Sequence, residues 1–214
     1  MTDRSRESPN DASPHCDRLA IEDGIVIEGM VATIGPDGTP HVAAMGPYVD
    51  GADPKRLVLR PFLPSSTWDN LRANGRGVFH ITDDVLCLAR LVMRTHIPAV
   101  EWHEVGEHRF PVVENVCRWL PFEALEFSVP GPRAWIECRV LATFDERPYV
   151  GLHRARHAVL EAAILATRTD ILPAAEILRQ LEQVRPWVEK TGGRDERTAF
   201  AELESYIRRR LSGA

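Results

Sequence analysis

Apolar and polar positions follow two rhythms along this chain: short apolar runs broken by turns come first, then spacings of three and four residues. From Ile25 to Ile34 the chain is rich in Ile and Val, which pack well on a pleated sheet, and it reads as a strand. Gly35-Pro36-Asp37-Gly38-Thr39 predicts a turn, because proline presets φ and glycine accepts positive φ. His41 to Val49 reads as a second strand with small residues at Ala43, Ala44 and Gly46, and Pro47 belongs at an edge or a bulge. After the turn Asp50-Gly51-Ala52-Asp53, strands follow at Arg56–Arg60 and Gly77–Thr82. Two more, Phe122–Val129 and Arg133–Phe144, flank Pro130-Gly131-Pro132. Closely spaced strands with short turns predict an antiparallel sheet or barrel.

The second rhythm is helical. Asp84 to Met93 has near-helical spacing, and Leu152 to Thr167 reads as a buried helix. Pro173 suits the first turn of the next helix, along which Ile177, Leu178, Leu181, Val184 and Val188 recur on one side up to Gly192-Gly193. Asp195 is the expected cap of a last helix with Phe200, Leu203, Ile207 and Leu211 on its apolar side. Arg208-Arg209-Arg210 falls at that helix's negative end, where cations are favoured. Strands first and helices afterwards predict an α+β fold, with a mostly antiparallel barrel over residues 21–150 and a helical portion over 151–214 packed on it. Residues 94–121 show no readable pattern, and residues 1–20 open with a polar stretch expected to be a disordered tail.

Composition narrows the function classes. A net charge of −5, from 26 basic and 31 acidic residues, weighs against a nucleic-acid binder. No run of about 18 apolar residues and no apolar leader near Met1 is present, so neither a membrane span nor a standard secretion signal is expected. The four cysteines, Cys16, Cys87, Cys117 and Cys138, are widely spaced with no C-x-x-C, as in reduced thiols of a cytoplasmic protein.

The stretch from Leu57 to Asp84 carries the candidate chemistry. A short strand ends in Arg60, the loop Pro61-Phe62-Leu63-Pro64 follows, and the hydroxyls of Ser65, Ser66 and Thr67 open a helix over Trp68–Asn74 that Gly75 closes. A cation, several hydroxyls and a helix N-terminus suit a phosphate monoester. The plainer reading is a capping box in which Ser66 caps the helix and Asp69 reciprocates; capping and ligation are compatible. Asn70 lies one turn inside the helix. His103 and His108 are five residues apart and match neither H-E-x-x-H nor H-x-x-E-H, so no metal site is expected. His153 and His157 share a helix face without an acid between them. No G-x-S-x-G, P-loop or G-x-G-x-x-G occurs.

Three blocks, Leu57–Phe62, Ser66–Leu71 and Gly77–Asp84, together with Arg154–Arg168, resemble the DUF447 family, a branch similar to FMN-binding split-barrel flavoproteins such as flavin reductases and pyridoxamine-phosphate oxidases. The resemblance covers residues 25–168. It implies a split barrel of about six strands and FMN as cofactor, with the phosphate near Arg60, Ser65, Ser66, Thr67 and Asn70. It implies that Ala43, Ala44 and Met45 run along the flavin ring, where small residues let a flat ring approach the backbone. Phe62 is a candidate wall for that ring, or a plain core aromatic. It further implies a homodimer with the cofactor between subunits, and a small-molecule redox substrate with NAD(P)H as candidate electron donor. Catalytic residues are not assigned. A carrier or sensor that holds FMN or another phosphorylated ligand without turnover is the alternative, and a dimeric scaffold with an empty groove is a third.

Overall fold

The computed structural model describes residues 24–51 and 54–213. The expected tail at residues 1–20, Cys16 included, lies outside the described residues, as do Ala52 and Asp53 of the second turn.

The first rhythm folds as a long hairpin. β1 (Ile25–Val26) and β2 (Gly29–Ile34) run out, and β3 (Pro40–Ala44) and β4 (Tyr48–Val49) run back. The turn between them is closed by Gly35 N–H donating to the Thr39 carbonyl at 2.8 Å and by the Asp37 carboxylate accepting from Thr39 N–H at 3.0 Å. Both expected strands are interrupted, at residues 27–28 and 45–47. Pro47 has no N–H for a regular ladder. Two bonds bridge the gap instead: Ile27 N–H to the Pro47 carbonyl at 3.3 Å, and Met45 N–H to the Gly29 carbonyl at 3.0 Å.

β5 (Arg56–Leu59) pairs with β4 and with β10 (Trp135–Val140). β6 (Arg76–Ile81) pairs with β2 and with β9 (Arg118–Ser128), and β9 pairs with β10. Every pairing is antiparallel. One half of the first hairpin thus borders β5 and the other half borders β6, so the sheet curls until both its edges belong to that hairpin. This is the expected α+β barrel. β11 (Phe144–Asp145) adds a short pairing to the start of β9.

Period-two alternation fills the barrel: Val31, Leu57, Leu59, Phe79, Leu120, Phe122 and Ile136 point inward and are fully buried. α1 (Ser66–Asn74) brings Leu71 into the same core. Gly75 ends it with φ +64, a left-handed geometry that costs glycine least. Met30, Ala32, Val42 and Val78 point outward and are covered by α2 (Val85–Met93) and by a separate hairpin, β7 (Val100–Val105) and β8 (His108–Val113). That hairpin accounts for most of the unreadable segment: Pro98 precedes it and Pro111 lies within β8, yet Gly106, at φ +62, turns it.

α3 (Arg154–Ala166), α4 (Ala174–Thr191) and α5 (Arg194–Leu211) pack with α2 in a second apolar core. The expected helix ends shift by a residue or two. Pro173 sits just before α4 rather than in its first turn. Asp195 lies in the first turn of α5, and the cap position falls on Gly193, whose N–H donates to Glu196 Oε2 at 2.9 Å. Only Gly192 and Gly193 separate the two helices, so α5 is already under way at Asp195.

Barrel and helices meet at Asp83. Its carboxylate accepts from Arg147 Nη2 at 2.5 Å, from Arg156 Nη1 at 2.8 Å and from the Val150 amide at 3.1 Å. Arg156 Nε also donates to Glu196 Oε1 at 3.0 Å. Burial by itself would raise the Asp83 carboxyl. The Arg147 and Val150 hydrogen bonds and the nearby arginine charges instead hold it well below the usual carboxylate range.

Candidate functional site

Alternation along β5 continues past its end. Leu57, Leu59 and Pro61 are buried toward the barrel, whereas Val58, Arg60 and Phe62 lie on the outer face. β10 runs alongside with Leu59 opposite Ile136, and the pairing extends: Ala134 N–H donates to the Pro61 carbonyl at 2.9 Å, Phe62 bridges Arg133, and Leu63 N–H donates to the Pro132 carbonyl at 3.1 Å. Arg60 therefore stands across from Trp135, and Phe62 across from Arg133. The Arg60 guanidinium carbon is 5.6 Å from the ring centres of both Tyr48 and Trp135, and its Nη1 donates to the Tyr48 hydroxyl at 3.3 Å. Arg133 stacks on the Phe62 ring at 3.8 Å. Phe62 is 50% exposed, which corrects the core-aromatic alternative.

Three residues beyond Phe62 the chain turns into α1. Ser65 is its N-cap, with extended backbone and an Oγ that accepts from Trp68 N–H at 3.4 Å. The expected capping box of Ser66 and Asp69 does not form: the helix begins at Ser66, one hydroxyl earlier than the box requires, and Asp69 N–H bonds the Ser65 carbonyl at 3.1 Å. Ser66 is exposed. The Ser66 and Thr67 amides, in the first turn, have no intrahelical acceptor. Thr67 and Asn70 are buried, and Asn70 Nδ2 donates to Thr33 Oγ1 at 3.0 Å, tying α1 to β2. Ala43, Ala44 and Met45 are half-buried where the long hairpin becomes irregular. Met45 packs on the barrel core and Ala44 on the outer cluster. Tyr48, three residues on, joins that stretch to Arg60.

Charge at this corner is unbalanced. Among the described residues Arg60, Arg133 and Arg168 have no carboxylate partner. Partial burial, then the charges of Arg60 and Arg168, push the Arg133 guanidinium below its ordinary value. Trp135 Nε1 is the one buried side-chain donor without a partner among the described residues. Tyr48, Trp135 and Arg133 were not singled out in the sequence. The signal was there in the two-residue spacing of Arg133, Trp135 and Glu137, which mirrors Val58, Arg60 and Phe62 across the ladder.

The other constellations resolve as packing. His103 lies 5.3 Å from the Trp119 ring and 3.6 Å from Glu101, while His108 contacts Arg76 at 3.2 Å; no group of three metal-ligating side chains occurs among the described residues. His153 caps α3 by accepting from Arg156 N–H at 3.3 Å. His157 is exposed, with its ring 5.8 Å from Trp187. Clefts of about 350 Å³ and 520 Å³ share Glu146 and Arg147 near β11, and neither includes Arg60 or Ser66. No helix among the described residues is long and apolar enough to cross a membrane.

The family model described as "Protein of unknown function (DUF447) N-terminal domain" matches residues 27–146, and its C-terminal counterpart matches residues 153–205. No curated protein matches the chain. Among solved structures, an FMN-bound DUF447 protein from Methanosarcina mazei is similar at 22% identity with a TM-score of 0.74, over 85% of this chain and 94% of that one. The flavin reductase of styrene monooxygenase from Pseudomonas putida aligns at 15% identity and a TM-score of 0.49, over 57% of this chain and 82% of that one. An FMN-binding protein from Thermus thermophilus aligns at 15% identity and a TM-score of 0.47, over 68% and 81%.

Proposed function

The chain belongs to the DUF447 family, and from that premise we propose that it is an FMN-binding flavoprotein acting as an NAD(P)H-dependent oxidoreductase of the flavin reductase kind. The observation that carries the proposal is the Arg60 corner, a guanidinium with no carboxylate partner among the described residues on the segment that leads into the open N-terminus of α1, in a fold shared with an FMN-bound member of the same family. The residues fit a phosphate monoester. Arg60 supplies a fixed charge, the exposed Ser66 hydroxyl and the first-turn amides of α1 supply donors, and Ser65 holds that turn in place. Asn70 acts from beneath, by fixing α1 against β2 through Thr33, and Thr67 is buried in the first turn of the same helix.

What FMN supplies when bound is hydride and electron transfer, which side chains lack. The protein's share is then placement. The half-buried backbone of Ala43, Ala44 and Met45 would run along the ring, with Phe62 as an exposed aromatic wall near the phosphate end. The corner lies open on the outer barrel wall, which supports a homodimer whose second subunit covers the ring and completes the groove. A redox substrate enters that shared groove.

The first test is the visible spectrum of freshly purified protein and its titration with FMN. Colourless protein that ignores added FMN rejects the reading. Rapid mixing of the FMN-loaded protein with NADH or NADPH follows: prompt bleaching supports turnover, and a flavin that stays yellow makes the protein a carrier or sensor.

A further inference from the structure

The positive charge on the outer barrel wall exceeds what Arg60 brings. Arg60 and Arg133 occupy diagonal positions on one sheet face, where side chains are about 7–8 Å apart at Cβ and long ones meet. Arg168 follows the end of α3, in the segment the family's C-terminal model matches, and its charge reaches Arg133. Elsewhere in this protein, arginines brought together share a carboxylate: Asp83 lies between Arg147 and Arg156, and Glu204 takes both Arg185 and Arg208. Among the described residues no carboxylate stands between Arg60 and Arg133, and the Trp135 indole N–H beside Arg60 has no acceptor either. Like charges gathered without a counter-charge raise the free energy of the unliganded fold and favour an anion that several guanidinia can reach.

We propose that Arg60 and Arg133 form one anion cradle that takes a phosphate monoester, with Arg133 as a binding residue beyond the strand-end arginine. Phe62, which pairs with Arg133 across the ladder, lies on the segment that leads from Arg60 to the α1 N-terminus, so the cradle borders the start of that helix. The choice of FMN as the phosphate's bearer rests on the flavin reading above; the cradle itself does not. A phosphorylated second substrate, such as a 2′-phosphorylated nicotinamide dinucleotide, offers the same chemistry.

The test uses the full chain and the variant Arg133→Ala. The side chain is exposed, so the variant should fold, which circular dichroism checks. Melting is followed with inorganic phosphate against chloride at equal ionic strength, and FMN and riboflavin affinities are measured by fluorescence. If the cradle holds the cofactor, phosphate stabilises the wild type, and the variant loses about tenfold or more in FMN affinity while riboflavin affinity holds. If it holds the second substrate's phosphate, FMN affinity is kept, but phosphate stabilisation and the preference for NADPH over NADH are lost. A variant that responds to phosphate, FMN and NADPH as the wild type does overturns the proposal. A wild type that responds to phosphate through these arginines yet ignores FMN leaves the cradle standing and removes the flavin reading instead.

Discussion

At the junction of barrel and helices, Asp83 stands between Arg147 and Arg156 at 2.5 and 2.8 Å, and Glu196 takes another edge of Arg156. On the outer barrel wall, Arg60 and Arg133 lie among Tyr48, Phe62 and Trp135 with no carboxylate partner among the described residues. Both places gather arginines from distant parts of the chain. The first is electrostatically closed: each charge is answered, the Asp83 side chain is 3% exposed, and the cluster fixes one part of the fold against another. The second is electrostatically open, which on the proposed reading favours an anion. The same residue type thus serves cohesion in one region and is proposed to serve recognition in the other, and the position of the acids decides which.

The comparison breaks if removing Asp83 is harmless. Asp83→Ala leaves two arginines facing each other without their carboxylate, and should destabilise the protein by about 3 kcal/mol, the low end for unpairing a buried ion pair because both guanidinia are about a quarter exposed. FMN affinity of the folded variant should be unchanged, and urea unfolding beside a flavin titration separates the two readouts. The mirror-image variant, Arg60→Ala, should weaken FMN binding by about 1.5–3 kcal/mol with little change in unfolding free energy. A melting point that falls while affinity stays level would make Arg60 a cohesive residue like Arg147.

Acid sharpens the contrast, since arginines keep their charge while a buried neutral imidazole under the β7–β8 hairpin does not stay neutral without cost. His80 is fully buried, with Nδ1 3.3 Å from the Met30 carbonyl and Nε2 accepting from Val113 N–H at 3.1 Å. Burial pushes its imidazole down from 6.5 to about 3, against a smaller opposing pull from the Met30 carbonyl. The folded state therefore binds no proton where the unfolded chain does. Its stabilising contribution is complete above the unfolded value of 6.5 and is lost as pH falls toward 3, by about 1.4 kcal/mol per unit. Unfolding at pH 5 should thus read about 2 kcal/mol less than at pH 7, a gap that a His80→Gln variant closes. Asp83 adds a loss of the same sign at lower pH, because its folded carboxyl is held below its ordinary value of 3.8. The smallest effect is at the helix cap. Ser65→Ala should cost about 1 kcal/mol of stability, whereas Ser66→Ala should leave stability level and lower FMN affinity.

Much of the barrel was legible because alternation and turn chemistry act over a few residues. The runs around Val31, Leu57, Phe79 and Phe122 sit in the core where their period places them. The hairpin at residues 100–113 was not legible: β8 contains a proline and both strands carry charged residues, so its identity depends on covering Met30 and Val78, which are far away in sequence. Around Arg60 the local pieces, strand end, hydroxyls and helix start, could be read directly. Which serine caps was decided by how far the β10 pairing carries the chain, to Leu63, before it can turn.

Local spacing alone therefore established the order of strands and helices, the inward faces and a corner suited to an anionic ester. Tertiary pairing decided which charges are answered. The antiparallel ladder sets Trp135 against Arg60 and Arg133 against Phe62, whereas the same fold carries Asp83 to Arg147 and Arg156. Coulomb energy depends on distance in space, and the residues that set it here are separated by tens of positions along the chain.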